Sequence, residues 1–136
     1  MKFKCVWLID DDPVCNFLTE NILNLNNFAE EVHTFTHAED ALTYLDNIVK
    51  SKNGNLPDII FLDINMPGLN GWDFLEIYRN IPEAKKKDCD IYMLSSSVNQ
   101  SDIQMARESN EVKDFISKPL SLEDLEVVKL QKAGEL

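Results

Sequence analysis

No stretch of this chain approaches the ~20 consecutive apolar residues that a membrane-spanning helix requires. No secretory leader is expected either. Lys2 and Lys4 precede an apolar run, Cys5 to Ile9, but that run is too short for a leader core and ends in three aspartates. The three cysteines, Cys5, Cys15 and Cys89, are far apart, odd in number and form no CxxC pair. That excludes a zinc ribbon and a thioredoxin-like motif, and leaves free thiols in a reducing compartment. There is no G-x-x-x-x-G-K loop to cradle a nucleotide. Basic residues are scarce: 13 Lys and Arg against 24 Asp and Glu give a net charge of −11. A nucleic-acid backbone would repel such a surface. What these absences leave is a cytoplasmic protein with no nucleic-acid and no membrane partner.

What is present fits one globular unit. The 136 residues are 44% apolar and 27% charged, enough for a single core spanning 1–132, with 133–136 as a short tail. Short continuous apolar runs, the mark of strands buried on both faces, alternate with segments of helical period. Cys5 to Ile9 reads as the first strand. Asp12 then caps a helix with Pro13 at its first position, and Val14, Phe17, Leu18, Asn21, Ile22 and Leu25 fall mostly on one stripe. Val32 to Phe35 makes a second strand. Thr36 and Glu39 have capping-box spacing ahead of a helix carrying Ala38, Ala41, Leu42, Leu45, Ile48 and Val49.

Ser51 to Pro57 is a loop, and Asp58 to Asp63 a third strand, apolar until it ends in a carboxylate. After a turn-rich stretch from Asn65 to Gly71, a helix runs through Trp72, Phe74, Leu75, Tyr78 and Ile81. Asp90 to Leu94 is the fourth strand. Ser101 and Gln104 have the spacing to cap a helix through Ile103, Met105 and Ala106. Asp114 to Ser117 is the fifth strand, and Ser121 with Asp124 caps a last helix through Leu122, Leu125, Val128 and Leu130.

Five strands alternating with five helices predict an α/β fold with a parallel sheet. In such folds ligands bind beyond the carboxyl ends of the strands, near a topological switch point. Asp10 and Asp11 end the first strand, Asp63 the third, Ser95 follows the fourth and Lys118 the fifth. Carboxylates gathered there repel one another unless a hard cation such as Mg2+ compensates them. One of them can then attack phosphorus and form an acyl phosphate. The cation and a lysine ammonium would neutralise the phosphoryl oxygens, and the Ser95 hydroxyl can hydrogen-bond one of them. Each piece alone has an ordinary explanation: loop acids, a surface lysine, a serine-rich turn. Their joint placement at strand ends does not.

Four segments carry a resemblance in order: Leu8-Ile9-Asp10-Asp11-Asp12-Pro13; Leu62-Asp63-Ile64-Asn65-Met66-Pro67 with Gly68 and Gly71; Met93-Leu94-Ser95-Ser96; and Phe115-Ile116-Ser117-Lys118-Pro119. From about Lys4 to Gln131 the chain resembles response-regulator receiver domains, in particular stand-alone, chemotaxis-regulator-like ones. The resemblance implies a doubly wound, flavodoxin-like sheet of order 2-1-3-4-5 flanked by five helices. It implies that Asp63 is the phosphoacceptor, that Asp11, Asp63 and the Asn65 carbonyl ligate Mg2+, and that Asp10 acts through a metal-bound water. Ser95 would be the switch hydroxyl, Phe115 the aromatic that follows it, and Lys118 the phosphoryl partner ahead of a cis bond to Pro119. Asn65 and Ser97 would tune dephosphorylation.

Implied partners are a sensor histidine kinase or histidine phosphotransfer protein upstream, and a separate effector downstream that reads the face of the last two helices and fifth strand. No output domain is expected within the chain, which would catalyse only its own phosphorylation and dephosphorylation. Some positions depart from the family pattern. Serine stands for threonine at Ser95, and Ser109-Asn110-Glu111 replaces a small-residue stretch, with Asn110 suited to a left-handed turn. The loop Ser51 to Asn55 is long. His33 and His37 lie outside every motif and read as surface histidines, not metal ligands or phosphohistidines. Two other readings share these residues. A pseudo-receiver would bind partners without phosphorylation. A Mg2+-dependent phosphohydrolase would want a second acid where Asn65 stands.

Overall fold

The computed structural model describes residues 2–52, 54–86, 88–96 and 99–134. The apolar runs become five strands: β1 (Phe3–Ile9), β2 (Ala29–Phe35), β3 (Ile59–Asp63), β4 (Asp90–Ser95) and β5 (Val112–Ser117). They pair in parallel in the order β2-β1-β3-β4-β5. Parallel neighbours need crossovers, and helices supply them. These are α1 (Pro13–Leu25), α2 (Ala38–Lys50), α3 (Gly71–Tyr78), α5 (Gln100–Glu108) and α6 (Leu122–Lys132), with a single-turn α4 (Glu83–Lys86) before β4. None of the described helices is long and apolar enough to cross a membrane.

Alternate residues of the central strands feed two cores. Trp7, Ile9, Ile60 and Leu62 pack with Ala41 and Leu45 of α2 and Phe74 and Leu75 of α3. Val6, Leu8, Phe61 and Tyr92 pack with Leu23 of α1 and Leu125 and Val128 of α6. All five residues of β3 are buried, which explains why its sequence is apolar without alternation. The chain leaves β1 toward β2 on one side and returns to β3 on the other. Between the carboxyl ends of β1 and β3 lies the switch point, so Asp10 and Asp63 end on adjacent strands.

Several local expectations change. The stripe on α1 faces outward: Val14, Phe17, Leu18 and Leu25 are 61–82% exposed, while Asn16 and Leu23 face the sheet and only Ile22 of the stripe packs against the core. Helical period identifies a stripe but not the side that is covered. Thr36 and Glu39 form no capping box. The cap of α2 is His37, without a side-chain capping hydrogen bond, and Thr36 Oγ1 lies 3.2 Å from His37 Nδ1. Ser101 is not the cap of α5, because Asn99 accepts its N–H at 2.9 Å and the helix begins at Gln100.

Asn110 is not left-handed; among described non-glycine residues that conformation belongs to Asn27, at φ 48°, in the turn after α1. Helix α3 stops at Tyr78, short of Ile81, and β2 and β5 begin earlier than expected, at Ala29 and Val112. Two caps behave as read: Asp12 accepts the Val14 N–H, and Ser121 with Asp124 forms a complete box. A further box, Asn70 with Asp73, starts α3.

Candidate functional site

The backbone fixes the site before its side chains are considered. The Asp10 N–H donates to the Phe35 carbonyl at 3.0 Å, and the Asp10 carbonyl accepts from Asn16 Nδ2 at 2.9 Å. Asn16 is buried on the inner face of α1, so it ties the strand end to the helix that follows. Sequence reasoning passed it over; a polar residue opposite an apolar stripe looks solvated, and the reversed face of α1 is what buries it. Beyond β3, the Ile64 N–H donates to the Leu94 carbonyl at 3.0 Å. Gly71 then brings the start of α3 against this turn: a Cβ there would lie 2.7 Å from the Asp63 carbonyl oxygen. Lys118 donates its N–H to the Ser95 carbonyl at 2.9 Å, and the bond to Pro119 is cis.

On this frame the predicted side chains converge. Ligand oxygens of Asp10, Asp11 and Asp63 lie within 4.8 Å of one another. Asp10 and Asp63 are buried, whereas Asp11 is exposed at the rim. The Lys118 ammonium enters between them, 2.5 Å from Asp10 Oδ2 and 3.4 Å from Asp63 Oδ1. Asp63 Oδ1 also accepts the Asn65 N–H at 3.3 Å, and the Asn65 amide donates to the Ser95 hydroxyl at 3.3 Å. Ser95 is fully buried at the end of β4. Phe115, half-buried on β5, packs against the core cluster on the α2 and α3 side. Asp12 stays outside the group as a helix cap, although its N–H donates to Asp10 Oδ1 at 3.0 Å. Ser97 lies outside the described residues.

The two buried acids differ in charge state for physical reasons. Burial pushes Asp63 up to about 7, against the pull of Lys118 and with further push from Asp10. Burial also opposes ionisation of Asp10, but the Lys118 ammonium, the Asp12 N–H and the Cys15 thiol outweigh it and hold Asp10 below its ordinary value. Lys118 is raised: burial disfavours its charge, and its bond to Asp10 and the field of Asp63 more than compensate. Cys15, unnoticed at the sequence level beyond being a thiol, is pushed up to about 11 by burial and the Asp10 carboxylate.

The donor set is all oxygen, carries more negative charge than Lys118 alone balances, and opens to solvent at Asp11. Those are the requirements of a hard divalent cation that keeps some of its waters, so the residues fit Mg2+. Asp10, Asp11, Asp63 and the backbone at Asn65 are the groups that would hold it.

Known proteins resemble this chain in sequence and in fold. The family described as response regulator receiver domain matches residues 6–128. Hybrid signal transduction histidine kinase C of Dictyostelium discoideum is 29% identical over 90% of this chain, which spans 10% of that protein's length. Response regulator Rcp1 of Synechocystis is 24% identical over 90% of this chain and 81% of its own. Among solved structures, a two component response regulator from Cytophaga hutchinsonii superposes with a TM-score of 0.90 at 32% identity, over 99% of this chain and 100% of that one. A response regulator receiver protein from Dyadobacter fermentans gives 0.83 at 28% identity, over 96% and 98%. With the sheet order, the strand-end acids and the lysine all in place, the chain belongs to the response regulator receiver family, the signalling domain of two-component systems.

Proposed function

We propose that residues 1–132 act as one phosphorylation switch, with Asp63 as the acceptor. The observation that carries this reading is the Lys118 ammonium bridging Asp10 and Asp63, which brings groups from the carboxyl ends of β1, β3 and β5 into one pocket. A phosphohistidine on a kinase or phosphotransfer protein is the donor. Its P–N bond breaks as an Asp63 oxygen bonds to phosphorus, and the leaving imidazole keeps the electron pair and takes a proton from solvent. Bound Mg2+, held by Asp10, Asp11, Asp63 and Asn65, supplies positive charge to the phosphoryl oxygens.

The chain's own residues do the rest. Lys118 exchanges a carboxylate partner for a phosphoryl oxygen. The new group adds about −1.5 to −2 charges and fresh acceptors, toward which Ser95 turns its hydroxyl. Phe115 then packs into the space released, and the surface of α5, β5 and α6 changes for a separate effector to read. Asn65 and Ser97 set access of the hydrolytic water. The exposed apolar residues of α1 start beside Asp12, at the pocket rim, and support a protein donor that covers the mouth of the site.

The test is incubation with Mg2+ and acetyl phosphate, following intact mass beside Asp63→Asn. A single labile phosphoryl adduct absent from the variant supports the switch. An unmodified wild type would favour a pseudo-receiver, and turnover of many phosphoesters a phosphohydrolase.

A further inference from the structure

A second, chemically different ligand cluster lies along the paired length of β1 and β2, short of the carboxyl ends that form the acidic pocket. The β1–β2 register sets Cys5 beside Glu31, and His33 follows two residues along β2 on the same face. The thiol sulfur, a carboxylate oxygen and an imidazole nitrogen all lie within 4.8 Å of one another, with His33 Nε2 3.4 Å from Glu31 Oε2. A tetrahedral ion with Zn–S of about 2.3 Å and Zn–N and Zn–O of about 2.0 Å spaces its ligands roughly 3.3–3.6 Å apart. Closing the set therefore needs only a small shift, and Glu31, the most exposed of the three, is free to make it.

The other two ligands are braced. Cys5 and Trp7, two residues apart on the same face of β1, pack against the same core cluster. The Cys5 backbone is pinned by Asp58, whose Oδ2 accepts the Lys4 N–H at 2.8 Å and the Cys5 N–H at 3.4 Å. The His33 ring leans on Tyr44 at 5.8 Å between centroids, and Tyr44 in turn meets Trp7 at 5.4 Å. Outer hydrogen bonds and packing of this kind orient metal ligands.

We propose that Cys5, Glu31 and His33 bind a divalent transition ion of the zinc class, with water in the remaining position. Mixed sulfur, nitrogen and oxygen donors select such an ion, whereas the all-oxygen pocket at Asp63 selects magnesium. The chain thus sorts two metals to different places on one sheet. Since β2 is the sheet's edge, the ion clamps an otherwise singly paired strand onto β1. The assignment replaces the expectation of a plain surface histidine at His33. The signal was hidden because its partners are 26 or more positions from Cys5 and meet only through the β1–β2 register.

The test uses the full chain with Co2+ as a coloured probe and Mg2+ in excess to fill the acidic pocket, followed by displacement with Zn2+. One equivalent of Co2+ should bind with a thiolate-to-cobalt charge-transfer band, and Zn2+ should bleach it. Cys5→Ser should abolish the band, and His33→Gln should weaken affinity about tenfold or more. Cys15→Ser and Cys89→Ser should keep it. A band that survives Cys5→Ser, or disappears in Cys15→Ser and so belongs beside Asp10, overturns the proposal, as does the lack of any stoichiometric thiolate-bound cobalt. Should Cys5→Ser unfold, His33→Gln and Glu31→Gln, on the more accessible ligands, carry the same test. In either folded variant the zinc-induced rise in Tm expected of wild type should shrink at a given zinc concentration, and an undiminished rise in both would overturn the proposal.

Discussion

Replacing Asp63 by asparagine should stabilise the metal-free protein, and the gain should depend on pH in a defined direction. In the fold Asp63 is pushed from 3.8 to about 7, chiefly by burial. Between those values the folded state holds a proton that the unfolded chain has lost, so stability falls as pH rises through this window and the loss is complete above about 7. At about 1.36 kcal/mol per pH unit, the ceiling on that loss is roughly 4 kcal/mol. Relaxation and screening at a pocket whose rim is wet reduce it to about 2 kcal/mol. Asparagine has the shape of the neutral acid, so Asp63→Asn should recover that amount at pH 8 in EDTA, raising Tm by roughly 6–10 °C. Near pH 4 the two proteins should converge. Adding Mg2+ should shrink or reverse the gap, since the ion binds the folded wild type and stabilises it by mass action. Thermal melts at several pH values, with EDTA and with Mg2+, read all of this. A gap that stays constant from pH 4 to 8, or a variant less stable than wild type in EDTA at pH 8, would refute the account of Asp63 as a carboxylate strained by burial.

Other perturbations probe the neighbours. Lys118→Met leaves two buried carboxylates without their ammonium, and should cost about 2–4 kcal/mol in EDTA by denaturant titration, less with Mg2+, while slowing phosphorylation by acetyl phosphate. Ser95→Ala removes a buried hydroxyl that accepts from Asn65 and should cost about 1 kcal/mol, yet leave formation of the acyl phosphate intact and weaken only its effect on effector binding. Gly71→Ala drives a methyl onto the Asp63 carbonyl and should destabilise by about 2 kcal/mol or more, with slower phosphorylation because the acceptor turn must move. Leu18→Asp, on the exposed face of α1, should leave stability and acetyl phosphate reactivity unchanged while slowing transfer from a protein donor tenfold or more; equal slowing with both donors would count against a docking role for that face.

The site was legible in sequence because its chemistry sits where apolar runs stop. A strand buried on both faces has to be apolar, so Asp10 and Asp63 stand out at the boundary. The order of strands then makes their adjacency a matter of topology. What stayed hidden depends on contacts between elements. The sense in which α1 rolls onto the sheet decides that Asn16 is buried and Phe17 exposed, yet both fit a helical period equally well. His37 displaced Thr36, and Asn99 displaced Ser101, because a cap is chosen by where the preceding strand or loop releases the chain, which spacing alone does not specify. The approach of α3 to Asp63 hinges on a missing Cβ at Gly71, visible only once the two backbones are side by side.

Lys118 ties these levels together. Two buried acids with a third at the rim have to be neutralised in some way in every state of the protein, and before any metal or phosphate arrives the only cation within hydrogen-bond reach of the buried pair among the described residues is this ammonium. Its bond to Asp10 keeps that acid ionised and so concentrates the electrostatic strain on Asp63, the proposed acceptor. The same lysine is joined through its backbone N–H to the Ser95 carbonyl, so a shift of its charge toward a new anion on Asp63 acts on the β4 and β5 ends together. On the proposed reading, the resting ion pair is therefore part of the switch. It would place the strain where a phosphoryl group on Asp63 would relieve it, and would couple that relief to the strands bordering the surface proposed to change.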